Sequence, residues 1–163
     1  MQNVRKGEEL NEQLLKEFLL KHELISDVNS QIDISQFTGG ASNLTYLLGI
    51  ENKELVLRRP PKGAVKRGHD MGREFKVLTG LNNGFGKAPK AYAYTEDESI
   101  IGSSFYVMEK VEGIIIDNKV AKERNISETE FPVIANSWLD TLCLLYTSPS
   151  PRDQRGSRMP SSA

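Results

Sequence analysis

The chain has 163 residues, about the size of one domain, with 38% apolar and 26% charged side chains and a formal net charge of −1. Lys and Arg are interspersed with Asp and Glu, which excludes the one-sided basic footprint of a nucleic-acid binder, and no apolar run approaches the roughly 18 residues that cross a bilayer. One cysteine, Cys143, and two histidines, His22 and His69, exclude an internal disulfide and a zinc cluster. With no apolar h-region after Met1, a cytoplasmic protein with no nucleic-acid or membrane partner is expected.

In chain order, Glu8 to Glu23 reads as an amphipathic helix: Leu10, Leu14 and Phe18 recur every four residues, with acidic residues first and Lys21 and His22 last. Ile32 to Phe37 alternates as a strand. Thr38-Gly39-Gly40-Ala41-Ser42 is a turn, Asn43 to Ile50 the returning strand, Glu51-Asn52-Lys53 a second turn and Glu54 to Arg58 a third strand, giving an antiparallel meander. Pro60 and Pro61 end it, since neither can donate a ladder hydrogen bond. Lys62, Lys66 and Arg67 form a small basic cluster that reads as a solvated loop. Asp70 to Leu81 is predicted helical, with Asp70 as N-cap and Gly80 closing its end. Ala91 to Tyr94 and Ser104 to Lys110 read as two more strands around an acidic turn at Glu96-Asp97-Glu98. A last helix runs from Ser127 to Leu142, with Ser127 and Glu130 spaced as a capping box and Ile134 and Trp138 on a core-facing stripe.

Two features carry chemistry. Gly39 and Gly40 let a backbone turn approach a ligand closely, and successive N–H groups in such a turn form an anion-binding concavity to which Ser42 adds a hydroxyl. Arg58 follows the apolar strand residues Leu55-Val56-Leu57; strand parity decides whether Arg58 or Arg59 points inward. A buried guanidinium needs a partner, and Glu74 on the following helix is the natural one. Each feature alone also fits an ordinary hairpin or a structural salt bridge.

Together, Phe37-Thr-Gly-Gly-Ala-Ser-Asn-Leu-Thr-Tyr, Leu55-Val-Leu-Arg-Arg-Pro-Pro, His69-Asp-Met-Gly-Arg-Glu-Phe and Phe105-Tyr-Val-Met-Glu-Lys-Val-Glu-Gly resemble the N-terminal lobe of aminoglycoside-phosphotransferase and choline-kinase-like proteins. The likeness is nearest to the kinase-like domain also found fused to acyl-CoA dehydrogenases, and it covers nearly all of residues 10–142. It implies an α+β fold: a protein-kinase-like N-terminal lobe with an antiparallel sheet and an αC-type helix. It implies an ATP- and Mg²⁺-dependent phosphotransferase acting on a hydroxyl of a small-molecule substrate such as a hydroxyacyl-CoA or an aminoglycoside-like compound. By motif, Gly39, Gly40, Ser42 and Asn43 cover the ATP phosphates, Arg58 stands where the family usually has lysine and pairs with Glu74, and Met108, Glu109, Lys110 and Val111 match the hinge that meets adenine.

The family's catalytic base lies in a His-Gly-Asp-type loop followed by Asn, with a metal-binding Asp beyond. None of these motifs occurs here, so no catalytic or metal residue is assigned and the Mg²⁺ ligands are expected in a C-terminal lobe that the chain stops short of. The expected organisation is a kinase-like lobe with the start of a linker helix over 1–142, itself inactive, and a disordered tail over 143–163. Cys143–Asp153 and Ser157–Ala163 resemble two blocks of a translated transposase-type sequencing adapter. The alternatives are a non-catalytic nucleotide-binding or interaction module and a gene fragment without function.

Overall fold

The computed structural model describes residues 1–38, 42–64, 70–82, 84–114, 116, 120, 123–124 and 126–147. They form two compact units: residues 1–82 with 88–110, and residues 83–87 with the chain from 111 onward. In the first unit α1 (Glu12–Lys21) precedes three strands, β1 (Ile32–Gln36), β2 (Leu44–Ile50) and β3 (Lys53–Arg59). Then come α2 (Met71–Asn82), β4 (Ala91–Thr95), a one-turn helix α3 (Glu98–Ile101) and β5 (Phe105–Glu109). The second unit contains α4 (Glu130–Thr147).

All strand pairs are antiparallel, in the order β1-β2-β3-β5-β4, so β5 inserts between β3 and β4 and leaves β4 at the edge. The β2–β3 connection is tight because Glu51 and Asn52 both take positive φ, 49° and 60°, the conformation a two-residue hairpin turn demands.

Directly opposed residues share a face of a sheet, and the register sorts this one into two. On the first face, Tyr46 opposes Leu57, Leu48 opposes Leu55, and Leu57 opposes Val107. These side chains pack with Leu15, Phe18 and Leu19 of α1 as the hydrophobic core, where the Phe18 and Phe105 rings meet edge to face at 4.8 Å. On the second face, Thr45 opposes Arg58, Arg58 opposes Tyr106, and Tyr106 opposes Tyr94. Here α2 packs: the Phe75 ring stacks on Tyr94 at 5.6 Å and tilts against Tyr106 at 6.3 Å. At Gly72, a Cβ would come within 2.8 Å of the Tyr94 hydroxyl, so glycine is what lets the first turn of α2 lie this close to β4.

Several boundaries differ from expectation for local reasons. α1 starts at Glu12 because Asn11 caps it, its side chain accepting from Leu14 N–H at 3.1 Å; Glu8 is left outside the helix for another task. Asp70 caps α2 as predicted, accepting from Arg73 N–H at 2.9 Å. Gly80 does not end α2. The helix runs to Asn82, whose side chain donates to the Ala88 and Pro89 carbonyls and accepts from Ala91 N–H, closing the chain onto β4. The acidic turn holds α3, because Asp97 accepts from Ser99 N–H as an N-cap.

The capping box of α4 forms, Glu130 accepting from Ser127 N–H and Oγ. The helix continues through Cys143–Thr147, five residues past the expected boundary at 142, since Leu144 and Leu145 favour helix and Pro149 lies further on. Trp138 is 64% exposed and α4 buries none of its residues, so the core-facing stripe expected there is not found. Residues 148–163, like Lys66 and Arg67, lie outside the described residues.

Candidate functional site

Strand parity settles which arginine meets α2. Arg59 follows Leu55 and Leu57 onto the core face and is 2% exposed. Its Nε and Nη2 donate to the Tyr46 hydroxyl at 3.1 and 3.0 Å, Nη2 also to the Glu8 carbonyl at 2.9 Å, and Nη1 to the Ile101 carbonyl at 3.0 Å. These partners are neutral oxygens, which satisfy the donors of a buried guanidinium without a countercharge. Burial pushes the Tyr46 phenol up, against the pull of Arg59 beside it.

Arg58 points the other way. Its Nη1 lies 3.3 Å from Glu74 Oε2 on α2, with both side chains about one-third exposed (32% and 30%). Glu74 joins three elements. Asn43, immediately before β2, donates from Nδ2 to Glu74 Oε1 at 2.9 Å, and Tyr106 of β5 donates its hydroxyl to Oε2 at 3.0 Å. The Tyr106 oxygen also accepts from Arg58 Nη1 at 3.4 Å, so it bridges the pair. Burial first, with the Glu74 charge and hydrogen bond adding and Arg58 opposing, raises Tyr106 to about 12, so it remains a protonated donor across the physiological range.

The structure thus brings Asn43, Arg58 and Glu74 together. Ser42 is exposed beside Asn43 and lines a surface cleft with Thr38, Pro61, Arg5 and Glu8. The expected phosphate-facing Gly39 and Gly40 lie outside the described residues. In the hinge segment, Met108 and Glu109 end β5. Glu109 N–H donates to the Lys90 carbonyl at 2.8 Å, which withholds that donor from any base. Lys110 pairs with Glu54 and closes the first unit, whereas Val111 belongs to the second.

Residue type alone did not reveal Tyr106 or the N-terminal segment. A tyrosine in an apolar strand reads as core, and only its opposition to Arg58 across β3 and β5 makes it a site residue. The N-terminal segment is tied to the edge of the sheet by the Gln2–Gln36 bridge and by Arg5 N–H donating to Gln36 Oε1.

Whether the site fits a phosphate can be read from Arg58. Its Nε is buried and has no hydrogen-bond partner among the described residues, while Nη1 serves Glu74 and Tyr106. A guanidinium with one edge anchored and another buried donor unused is suited to an anion. Among the described residues no group of three or more His, Cys, Asp or Glu side chains gathers to hold a metal.

The model of the phosphotransferase enzyme family matches residues 33–160. The chain belongs to that family. The match runs from the second residue of β1 through β5 and extends past residue 142 into the stretch that resembles adapter sequence. Acyl-CoA dehydrogenase family member 10 of Mus musculus is 35% identical over 113 residues, 69% of this chain and 10% of the relative. Member 11 of Rattus norvegicus is 34% identical over 123 residues, 75% of this chain and 16% of the relative. A crystal structure from Ralstonia eutropha JMP134, of a protein that carries an assignment as an aminoglycoside phosphotransferase, superposes with a TM-score of 0.55 at 28% identity, covering 67% of this chain and 30% of that one. The five-stranded antiparallel sheet with its helices is therefore the kinase-like N-terminal lobe of this phosphotransferase fold. The chain spans a tenth to a sixth of the length of these two dehydrogenase relatives.

Proposed function

We propose that this lobe is the nucleotide-binding part of an ATP-dependent small-molecule kinase, with a hydroxyl of a metabolite as acceptor. The observation that carries the reading is the Arg58–Glu74 pair at 3.3 Å, braced by Asn43 immediately before β2, with the buried Arg58 Nε left unpaired. In phosphoryl transfer the protein's task is largely positioning and charge stabilisation, and a strand-borne cation held by a helix-borne carboxylate supplies both. ATP supplies the transferable phosphoryl group. Arg58 and Asn43 stand at the phosphate end, Glu74 holds the guanidinium, and the Met108–Lys110 segment offers backbone groups other than the Glu109 N–H to adenine.

A hydroxyacyl-CoA and an aminoglycoside-like compound are both compatible acceptors. The relatives named as acyl-CoA dehydrogenases favour the first, since a kinase-like domain in such a protein works beside acyl-CoA chemistry. The ATP-dependent reaction fits the cytoplasm, and no described helix is long and apolar enough to cross a membrane. The sequence holds no His-Gly-Asp motif, so the 163-residue chain is expected to bind ATP without turning it over.

Calorimetric titration of the purified chain with ATP tests the reading. Arg58→Ala removes a charge-assisted contact and is expected to weaken ATP about 10- to 100-fold. An Arg58→Ala chain that binds ATP as the parent does removes Arg58 from the site; a parent chain that binds no ATP removes the function.

A further inference from the structure

Glu74 and Arg58 do not meet as a carboxylate and a guanidinium usually do. Two parallel N–H···O bonds are the strong arrangement for such a pair. Here a single nitrogen, Nη1, approaches a single oxygen, Oε2, at 3.3 Å. Both carboxylate oxygens are already engaged. Oε1 accepts from Asn43 at 2.9 Å, and Oε2 accepts from the Tyr106 hydroxyl at 3.0 Å, both shorter than the ion pair itself. Tyr106 is fully buried, and its ring is hemmed in by Phe75 and by the neighbouring strands, so its hydroxyl is fixed in place. The same oxygen accepts from Arg58 Nη1, and it therefore sits between the two charges as a spacer. The consequence falls on the rest of the guanidinium: a two-point grip that includes Nη1 takes Nη2 as its second donor, whereas the one-point grip leaves Nη2 outside the ion pair.

We propose that Tyr106 is a positioning residue for the nucleotide. Its hydroxyl holds Glu74 to a one-point grip on Arg58 and so keeps the Nη2 donors for a phosphate of the bound nucleoside triphosphate. This rests on the nucleotide-binding reading above. It also gives Arg58 a use for its fork that lysine lacks, because lysine is a point charge with no second edge to reserve. Removing the hydroxyl lets Glu74 close on two nitrogens of Arg58. The ion pair then tightens while the phosphate contact is lost, so nucleotide affinity falls without a matching loss of stability.

Calorimetric titration of the 163-residue chain with ATP and with adenosine, which has no phosphates, reads this effect. In Tyr106→Phe, ATP is expected to bind about 3- to 10-fold more weakly, the range of one hydrogen bond. Adenosine affinity and the thermal midpoint stay unchanged. In a Glu74→Gln background, Tyr106→Phe adds no further loss, because the hydroxyl acts through the carboxylate. Unchanged ATP affinity in Tyr106→Phe, equal losses for ATP and adenosine, or losses that multiply in the double variant each overturn the proposal. So does a Tyr106→Phe chain that unfolds, since the hydroxyl then serves the sheet. A parent chain that binds no ATP fails the nucleotide reading itself, whereas a parent that binds ATP beside an unaffected Tyr106→Phe fails this step alone.

Discussion

Arg58 and Arg59 are neighbours in one strand, and the pleat sends them to opposite faces with opposite duties. Arg59, 2% exposed, satisfies the carbonyls of Glu8 and Ile101 and the Tyr46 hydroxyl, and so ties the N-terminal segment and the α3 turn to the sheet. Arg59→Ala strands at least the Ile101 carbonyl and is expected to cost about 2–4 kcal/mol, seen as a lower urea midpoint. Arg58 is one-third exposed, so solvent screens its pair with Glu74, and Arg58→Ala is expected to cost under about 1 kcal/mol of stability. The two variants thus separate: one loses stability and the other ATP affinity. An Arg59→Ala chain as stable as the parent contradicts the assignment. The sequence contains both arginines and the choice of Glu74 as partner, but not the parity that tells them apart, because a one-residue shift of register swaps the faces. Tyr106 was hidden for the same reason.

At the level of elements, polar side chains at the ends do work that periodicity does not display. Glu51, in the β2–β3 turn, accepts from Ser26 N–H, Asp27 N–H and Ser30 Oγ, at 2.9, 2.8 and 2.9 Å, and pins the α1–β1 connection to the hairpin. The Ser26 and Asp27 backbone bonds hold its carboxyl below the usual glutamate range. In the unfolded chain it titrates near the ordinary value of about 4.3, so its contribution is fully present above that pH and is lost as pH falls through the lowered folded value. Asp97 and Glu130, lowered by Ser99 and Ser127, act in the same direction. Glu51→Gln is therefore expected to reduce the steepness of the acid limb between about pH 5 and pH 3, read as urea midpoint against pH. An acid limb as steep as the parent's sinks this role. The strands and α2 were legible to within two residues because alternation and the Asp70 cap are local signals. The pairing of β3 with β5 depends on contacts distant in sequence, which no window of a few residues contains, whereas the Asn11 and Asp97 caps that start α1 and α3 are local signals that the apolar periodicity masked.

For the molecule as a whole, the buried apolar side chains are unevenly divided. The core cluster runs from Leu15 to Val107 and lies entirely in the first unit, whereas α4 leaves Phe131, Val133 and Trp138 between 64% and 68% exposed. Cooperative stability comes from buried contacts, so the first unit is expected to carry the global unfolding transition and α4 to open at far lower cost. Trp138 is the chain's single tryptophan, which turns this division into a measurement. In dilute solution the native chain is expected to show the red emission of a water-exposed indole. That emission is expected to change little through the urea transition in which far-UV circular dichroism reports loss of the sheet. Exposed apolar surface of this kind also drives association. A blue shift that grows with protein concentration is expected, and Trp138→Ser should suppress it. Emission that is blue in dilute solution and shifts together with the dichroism would mean that the indole is buried in the cooperative core, and the division of stability between the units would fail with it.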